Sequence, residues 1–359
     1  NWTVGGEVAT TPPGVVSNSD AAVMWAGWTN NIDVASFSQT SARTTIDLDG
    51  LFAIREIRVS GATTPAYTLG NGDQVLPMRA SGTVSVAADV VNMPVLPQRV
   101  SIGIGCYKTD NDGQADQYAV FRNDAVGRTL ALHDFGYQSK NPDQGKYRVC
   151  GIRFEGAGVI TVDGGRKDMD AAYLDFRNAM TGKLEMRSDC GKFRCVQLLN
   201  GSHLTLGPGV VFQFVNGYNY FYVFGGVKVD GEGTMDFTYV QGVTTQQKSP
   251  IPEFACRVAF EPTANYPYLL VNGYATGNVY PILFSNPSNP GFNAPVRFNA
   301  RPDNMRLDVV RFGLRGEAGS LGDNEDLAVF TTNSVAAGVI TTCTVSPFLM
   351  KSRTSSTAL

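Results

Sequence analysis

Asp230, Glu232 and Asp236 are the residues of this chain best placed to do chemistry. Glycoside hydrolysis needs two carboxyl groups held about 5–9.5 Å apart. In an extended strand, residues two apart share a face, which would set Asp230 and Glu232 about 7 Å apart. These three are therefore the candidate catalytic residues for cleaving a polysaccharide. The same stretch also reads as turns, because glycine accepts positive φ and an aspartate beside it caps the turn. The turn reading outweighs the catalytic one. Asp163, with Asp168 and Asp170 downstream, carries the same double reading.

Tyr218, Tyr220 and Tyr222 alternate along one run and would share one strand face. Such a row is a candidate carbohydrate-binding platform, since sugar faces pack on aromatic rings. Its competitor is ordinary burial of aromatic area. Lys108-Thr-Asp-Asn-Asp-Gly-Gln-Ala-Asp116 alternates acids around a glycine, like an acidic calcium loop. An EF-hand would need an oxygen ligand in place of Lys108 and a Glu in place of Ala119. Asp110, Asp112 and Asp116 are thus a candidate metal site for one structural calcium, with a hairpin turn at Asp112-Gly113 as the plainer reading. No other cofactor is expected.

The only histidines are His133 and His203, and neither lies near a nucleophile elbow or a cysteine pair, which argues against triad or zinc chemistry. There is no phosphate-binding glycine loop followed by Lys-Ser/Thr. Six cysteines in 359 residues do not make a disulfide scaffold, and they read as mainly buried thiols.

The elements that would carry these residues are mostly short strands. Thr83–Val86, His203–Leu206, Val210–Val215 and Tyr218–Phe224 alternate or run apolar between glycine, proline, asparagine and aspartate breaks. Lys183–Met186 and Cys195–Leu199 are strand-sized as well. Met169, Ala172, Phe176 and Met180 would share one face of a short helix over Asp168–Met180. Two stretches nearly repeat: Gly156-Ala-Gly-Val-Ile-Thr-Val-Asp-Gly164 and Gly226-Val-Lys-Val-Asp-Gly-Glu-Gly233. Asp163 and Asp230 are 67 positions apart (230 − 163), which suits three stacked turns of about 22 residues in a solenoid.

Charged residues are only 17% of the chain and the net charge is −3. The solvated surface must then be built largely from Asn, Thr, Ser, Gln and Gly, which suits sugar contact or large subunit interfaces. No basic block exists, so no nucleic-acid partner is expected. No run of about 18 apolar residues exists, so no helical membrane span is expected.

Ser202-His-Leu-Thr-Leu-Gly-Pro-Gly-Val-Val211 followed by Val229-Asp-Gly-Glu-Gly-Thr-Met-Asp236 resembles the coil pattern of the pectin-lyase-like right-handed parallel β-helix, over roughly residues 150–240. Phage tailspikes and many polysaccharide hydrolases and lyases share that fold. The paired Asp-Asp and Gly-His-Gly signatures of its glycan hydrolases are missing. Thr44–Val59 looks faintly like a discoidin-type jelly-roll strand pair.

The expected fold is all-β, with a right-handed parallel β-helix-like centre at 101–245 and β-sandwich or jelly-roll modules flanking it at 1–100 and 250–359. A jelly-roll throughout is the alternative. The expected function is that of a virion structural protein, a tailspike or fibre subunit attaching to host-surface glycans. It would act as a homotrimer alongside other virion proteins, on the virion surface. The alternatives are a capsid or decoration subunit and a secreted β-helix polysaccharide hydrolase or lyase. The missing glycan-hydrolase signatures, not the resemblance itself, lean the reading away from an enzyme.

Overall fold

A computed structural model describes the protein over most of residues 34–103, 118–138, 150–164, 174–214 and 220–259, with short strands at 3–8, 269–273, 282–284, 296–299 and 312–314. The described residues are all-β and contain no helix. Apart from one antiparallel pair, Thr3–Val4 with Glu7–Val8, the paired strands run parallel, and the chain winds as a parallel β-solenoid. It divides into two compact units, Asn1–Lys192 and Phe193–Leu359.

In the second unit each turn of chain lays down three short strands on three faces. One turn gives Cys195–Leu198, His203–Leu206 and Val211–Phe214, and the next gives Tyr220–Phe224, Lys228–Gly231 and Thr234–Asp236. Each strand pairs in register with its successor one turn later: Cys195 with Tyr220, His203 with Lys228, Val211 with Thr234. On the second face, His203, Lys228 and Glu253 form one row, so a turn takes 25 residues (228 − 203, then 253 − 228). The third face continues to Arg257–Ala259.

Alternation decides what is buried. Leu204 and Leu206 point inward and are fully buried, whereas His203 and Thr205 point outward and are partly exposed. Successive side chains of a strand lie on opposite faces, so one run supplies both core and surface. Aromatic residues dominate the core of this unit. Phe221 meets Phe214 edge-on at 5.6 Å and Phe237 at 5.4 Å, and Phe254 lies 5.9 Å from it one turn on. Edge-to-face and offset pairs of this kind add about 0.5–1.5 kcal/mol each beyond area burial.

The first unit is built the same way. Its long face carries Val34–Phe37, Glu56–Val59, Thr83–Val86, Tyr118–Asn123, Cys150–Gly156 and Leu174–Met180, all parallel. A second face carries Thr129–His133, Val159–Asp163 and Lys183–Met186. A third carries Val75–Met78, Arg99–Gly103 and Phe135–Gln138. Phe121, Phe154 and Phe176 succeed one another in the core, with centroids 6.0 and 5.6 Å apart.

Asn123 is an inward asparagine, fully buried at a corner. Its Nδ2 donates to the carbonyls of Arg128 (2.9 Å) and Val159 (2.8 Å), and its Oδ1 accepts from the amide of Ala125 at 3.1 Å. It therefore ties its own corner to the next turn. Asn178 is buried likewise, its Oδ1 accepting from the Met180 amide at 3.0 Å.

One expectation changes. Residues 174–180, placed by their spacing in a helix, form a strand seven residues long that pairs with Cys150–Gly156; Met169 and Ala172 lie outside the described residues. Parallel pairing also runs through Val34–Val86 and from Glu253 to Leu314, in the segments assigned to flanking modules.

The glycines of the two near-repeats sit where corners of successive turns touch. Gly156 has φ +110, and a Cβ there would lie 2.1 Å from the Asn123 carbonyl oxygen. Gly231 has φ +99, and its Cβ would lie 2.1 Å from the Leu206 carbonyl oxygen. Gly201 has φ +67 but open space around it. A left-handed conformation costs a non-glycine residue about 1–2 kcal/mol. Gly201→Ala should therefore cost about 1 kcal/mol and Gly231→Ala more than about 2 kcal/mol, because the second must also displace backbone. Urea denaturation of both variants checks this, and equal costs would show that the corner contact does not matter.

Candidate functional site

Asp230 is the one predicted catalytic residue around which the structure gathers other polar side chains. It lies on the outward side of Lys228–Gly231, with Thr205 as its register partner on His203–Leu206. Thr205 donates its hydroxyl to Oδ1 at 2.7 Å. His203 Nε2 and Lys228 Nζ each lie 2.9 Å from Oδ2. Thr205 Oγ1 is also 3.3 Å from His203 Nε2.

Burial pushes the Asp230 carboxyl up, but hydrogen bonds from His203, Thr205 and Lys228 outweigh it and hold the group far below the usual carboxylate range. Asp230 is therefore ionised and accepts from three donors. An ionised carboxylate can only accept, so His203 Nε2 carries a proton in this contact. Lys228 is half exposed, and its ammonium is raised by its hydrogen bond to Asp230. In the first unit Glu185 has a comparable setting, with burial again outweighed by hydrogen bonds from Arg187 and Lys183.

This arrangement does not suit a general acid, which must hold a proton near neutral pH. Both oxygens of Asp230 are occupied, which also leaves it poorly placed to act as a nucleophile. What the cluster does well is fix its own geometry: one carboxylate links two successive turns and presents His203 and Lys228 outward.

The other predicted residues do not join it. The strand that would carry Asp230 and Glu232 on one face ends at Gly231, and Glu232 is exposed in the corner that follows. Asp236 lies on another face, in Thr234–Asp236, where its Oδ1 accepts from the Thr238 amide at 2.9 Å. That is the turn-forming role weighed against catalysis. Tyr222 lies on the outer side of Tyr220–Phe224, opposite the buried Phe221 and Val223. Tyr220 opens the same strand. Tyr218 and the acidic loop with Asp110, Asp112 and Asp116 lie outside the described residues. Among the described residues no group of three or more His, Cys, Asp and Glu is arranged to hold a metal ion, and no helix is long and apolar enough to cross a membrane.

No family model, no curated protein and no solved structure matches this chain.

The depressed Asp230 carboxyl makes a signed prediction. Its stabilisation is fully present above the unfolded-state pKa, near 3.9, and is lost as pH falls through the folded value. Melting temperature followed from pH 6 to pH 2 should fall more steeply for wild type than for Asp230→Asn. At pH 7 the substitution should cost about 1–2 kcal/mol, as charge-assisted bonds in a partly exposed cluster do. Parallel acid limbs would refute the assignment. Cys195 and Cys256 are buried and not joined in a disulfide, and burial pushes Cys256 up to about 12. Thiolate chemistry at Cys256 is then suppressed, so iodoacetamide at pH 8 should label it only after denaturation, as peptide mass mapping would show.

Proposed function

We propose that this chain is a virion-surface subunit of the tailspike or fibre type, a pectin-lyase-like β-helix that attaches to host-surface glycans and works as a homotrimer with other virion proteins. The observation that carries this reading is the outward row on the second face of the second unit. His203, Lys228 and Glu253 stand on successive strands, with Thr205 and Asp230 beside them. Neighbouring strands are about 4.8 Å apart, so the row offers hydrogen-bonding groups at regular intervals. A repeating polymer of hydroxyls is a natural counterpart to such a surface, which is built with few charged residues overall.

Binding without cleavage fits Asp230 better than catalysis does, because three donors already engage its carboxylate. The jelly-roll capsid reading loses its basis where the strands pair parallel.

Two measurements test the proposal together. Mass in solution should be three times that of one chain and resist dilution, and a stable monomer would sink the spike reading. On a panel of cell-surface polysaccharides the protein should retain at least one glycan without shortening it. Depolymerisation that disappears in Asp230→Asn would establish an enzyme instead.

A further inference from the structure

On the outer side of the long face of the first unit, Arg153 and Arg177 are register partners on neighbouring strands. Tyr118 pairs with Gly151 in the adjoining row, and Gly151 with Asp175. The Tyr118 ring lies across Gly151 so closely that a Cβ there would sit 2.3 Å from two ring carbons. Only glycine leaves the ring room to lie flat. The guanidinium of Arg177 rests over that ring, its Cζ 4.3 Å from the centroid.

The two arginines differ in what meets their charge. Arg153 forms an ion pair with Glu155. Arg177 makes no ion pair with any described carboxylate, and its Nε is enclosed without a hydrogen-bond acceptor. The Arg153 Nε, although beside Glu155, also lacks a well-directed acceptor. Asp175, two positions before Arg177, is 1% exposed and has a partner of its own. An enclosed N–H without an acceptor is costly and rare in native proteins. A half-buried guanidinium, stacked in place and lacking an anion, has the geometry to bind an oxyanion through its planar fork.

We propose that Arg177, oriented by Tyr118 and flanked by Arg153, is an oxyanion-binding site. Resting on the attachment reading above, the oxyanion is the carboxylate or sulfate of an acidic sugar. Glu155 and Asp175 keep the net local charge low, so recognition depends on directed N–H groups rather than on a positive field. A simple inorganic anion therefore binds weakly, and an acidic sugar that also makes neutral contacts binds better.

The test titrates the native protein with inorganic sulfate at constant ionic strength and follows the arginine Nε–H resonances by NMR. The Arg177 signal, identified by its loss in Arg177→Lys, should shift saturably, whereas that of the half-exposed Arg58 should not. Arg177→Lys keeps the charge and should fold, and it should weaken sulfate binding about tenfold because the fork is lost. A linear shift equal at Arg177 and Arg58 would overturn the site. The second arm compares neutral, uronate-bearing and sulfated oligosaccharides on wild type and Arg177→Lys. Acidic glycans that bind both proteins equally would overturn this inference and leave the attachment reading standing. Saturable sulfate binding without retention of any glycan would uphold the site and sink the attachment reading.

Discussion

Everything in this protein follows from one requirement: each turn must hydrogen-bond, in parallel register, to the turn before it. Parallel pairing aligns residue with residue, so whatever one turn places inward, outward or at a corner constrains the same position one turn later. Phe121 and Phe154 stack in the core, their centroids 6.0 Å apart, because they are register partners on successive turns. Gly231 is glycine because Leu206 of the preceding turn occupies the space its Cβ would need. Parallel sheets are usually covered on both faces. Here one side is enclosed by the coil and the other is left to polar side chains.

That exposed side explains why the charges behave as they do. Carboxylates on the outer faces are held low by cations and hydroxyls on their own or neighbouring strands, as at Asp230, Glu185 and Glu56. In each case burial pushes the group up and local donors prevail. Ser85 reaches back to Glu56 at 2.7 Å and Thr205 forward to Asp230 at 2.7 Å, so such bonds join successive turns. Arg177 departs from the pattern.

Much of the architecture was legible in the residues. Thr83–Val86, Lys183–Met186 and His203–Leu206 alternate cleanly between short breaks, and they form strands with those bounds. Leu174–Met180 was misread for a physical reason. Residues four apart, such as Phe176 and Met180, share a face in a helix and in a strand alike, so that spacing cannot separate the two. The inward Asn123 and Asn178 had no signal in the sequence, because one asparagine at the end of a strand or within it can face either way. The surroundings of Asp230 were hidden more deeply. His203 and Thr205 become its neighbours only when the turn is 25 residues long, and the near-repeats had suggested about 22. Only backbone register brings those side chains together.

The polar links on the outer faces bear on how the protein comes apart. In a solenoid, stability is approximately a chain of nearest-neighbour terms. The bonds of Asp230 to Thr205 and His203 belong to the coupling between two adjacent turns rather than to either turn alone. Such surface links raise the penalty for a boundary between a folded turn and an unfolded one. They therefore act on cooperativity, making neighbouring turns melt together where fraying would otherwise peel them away one by one.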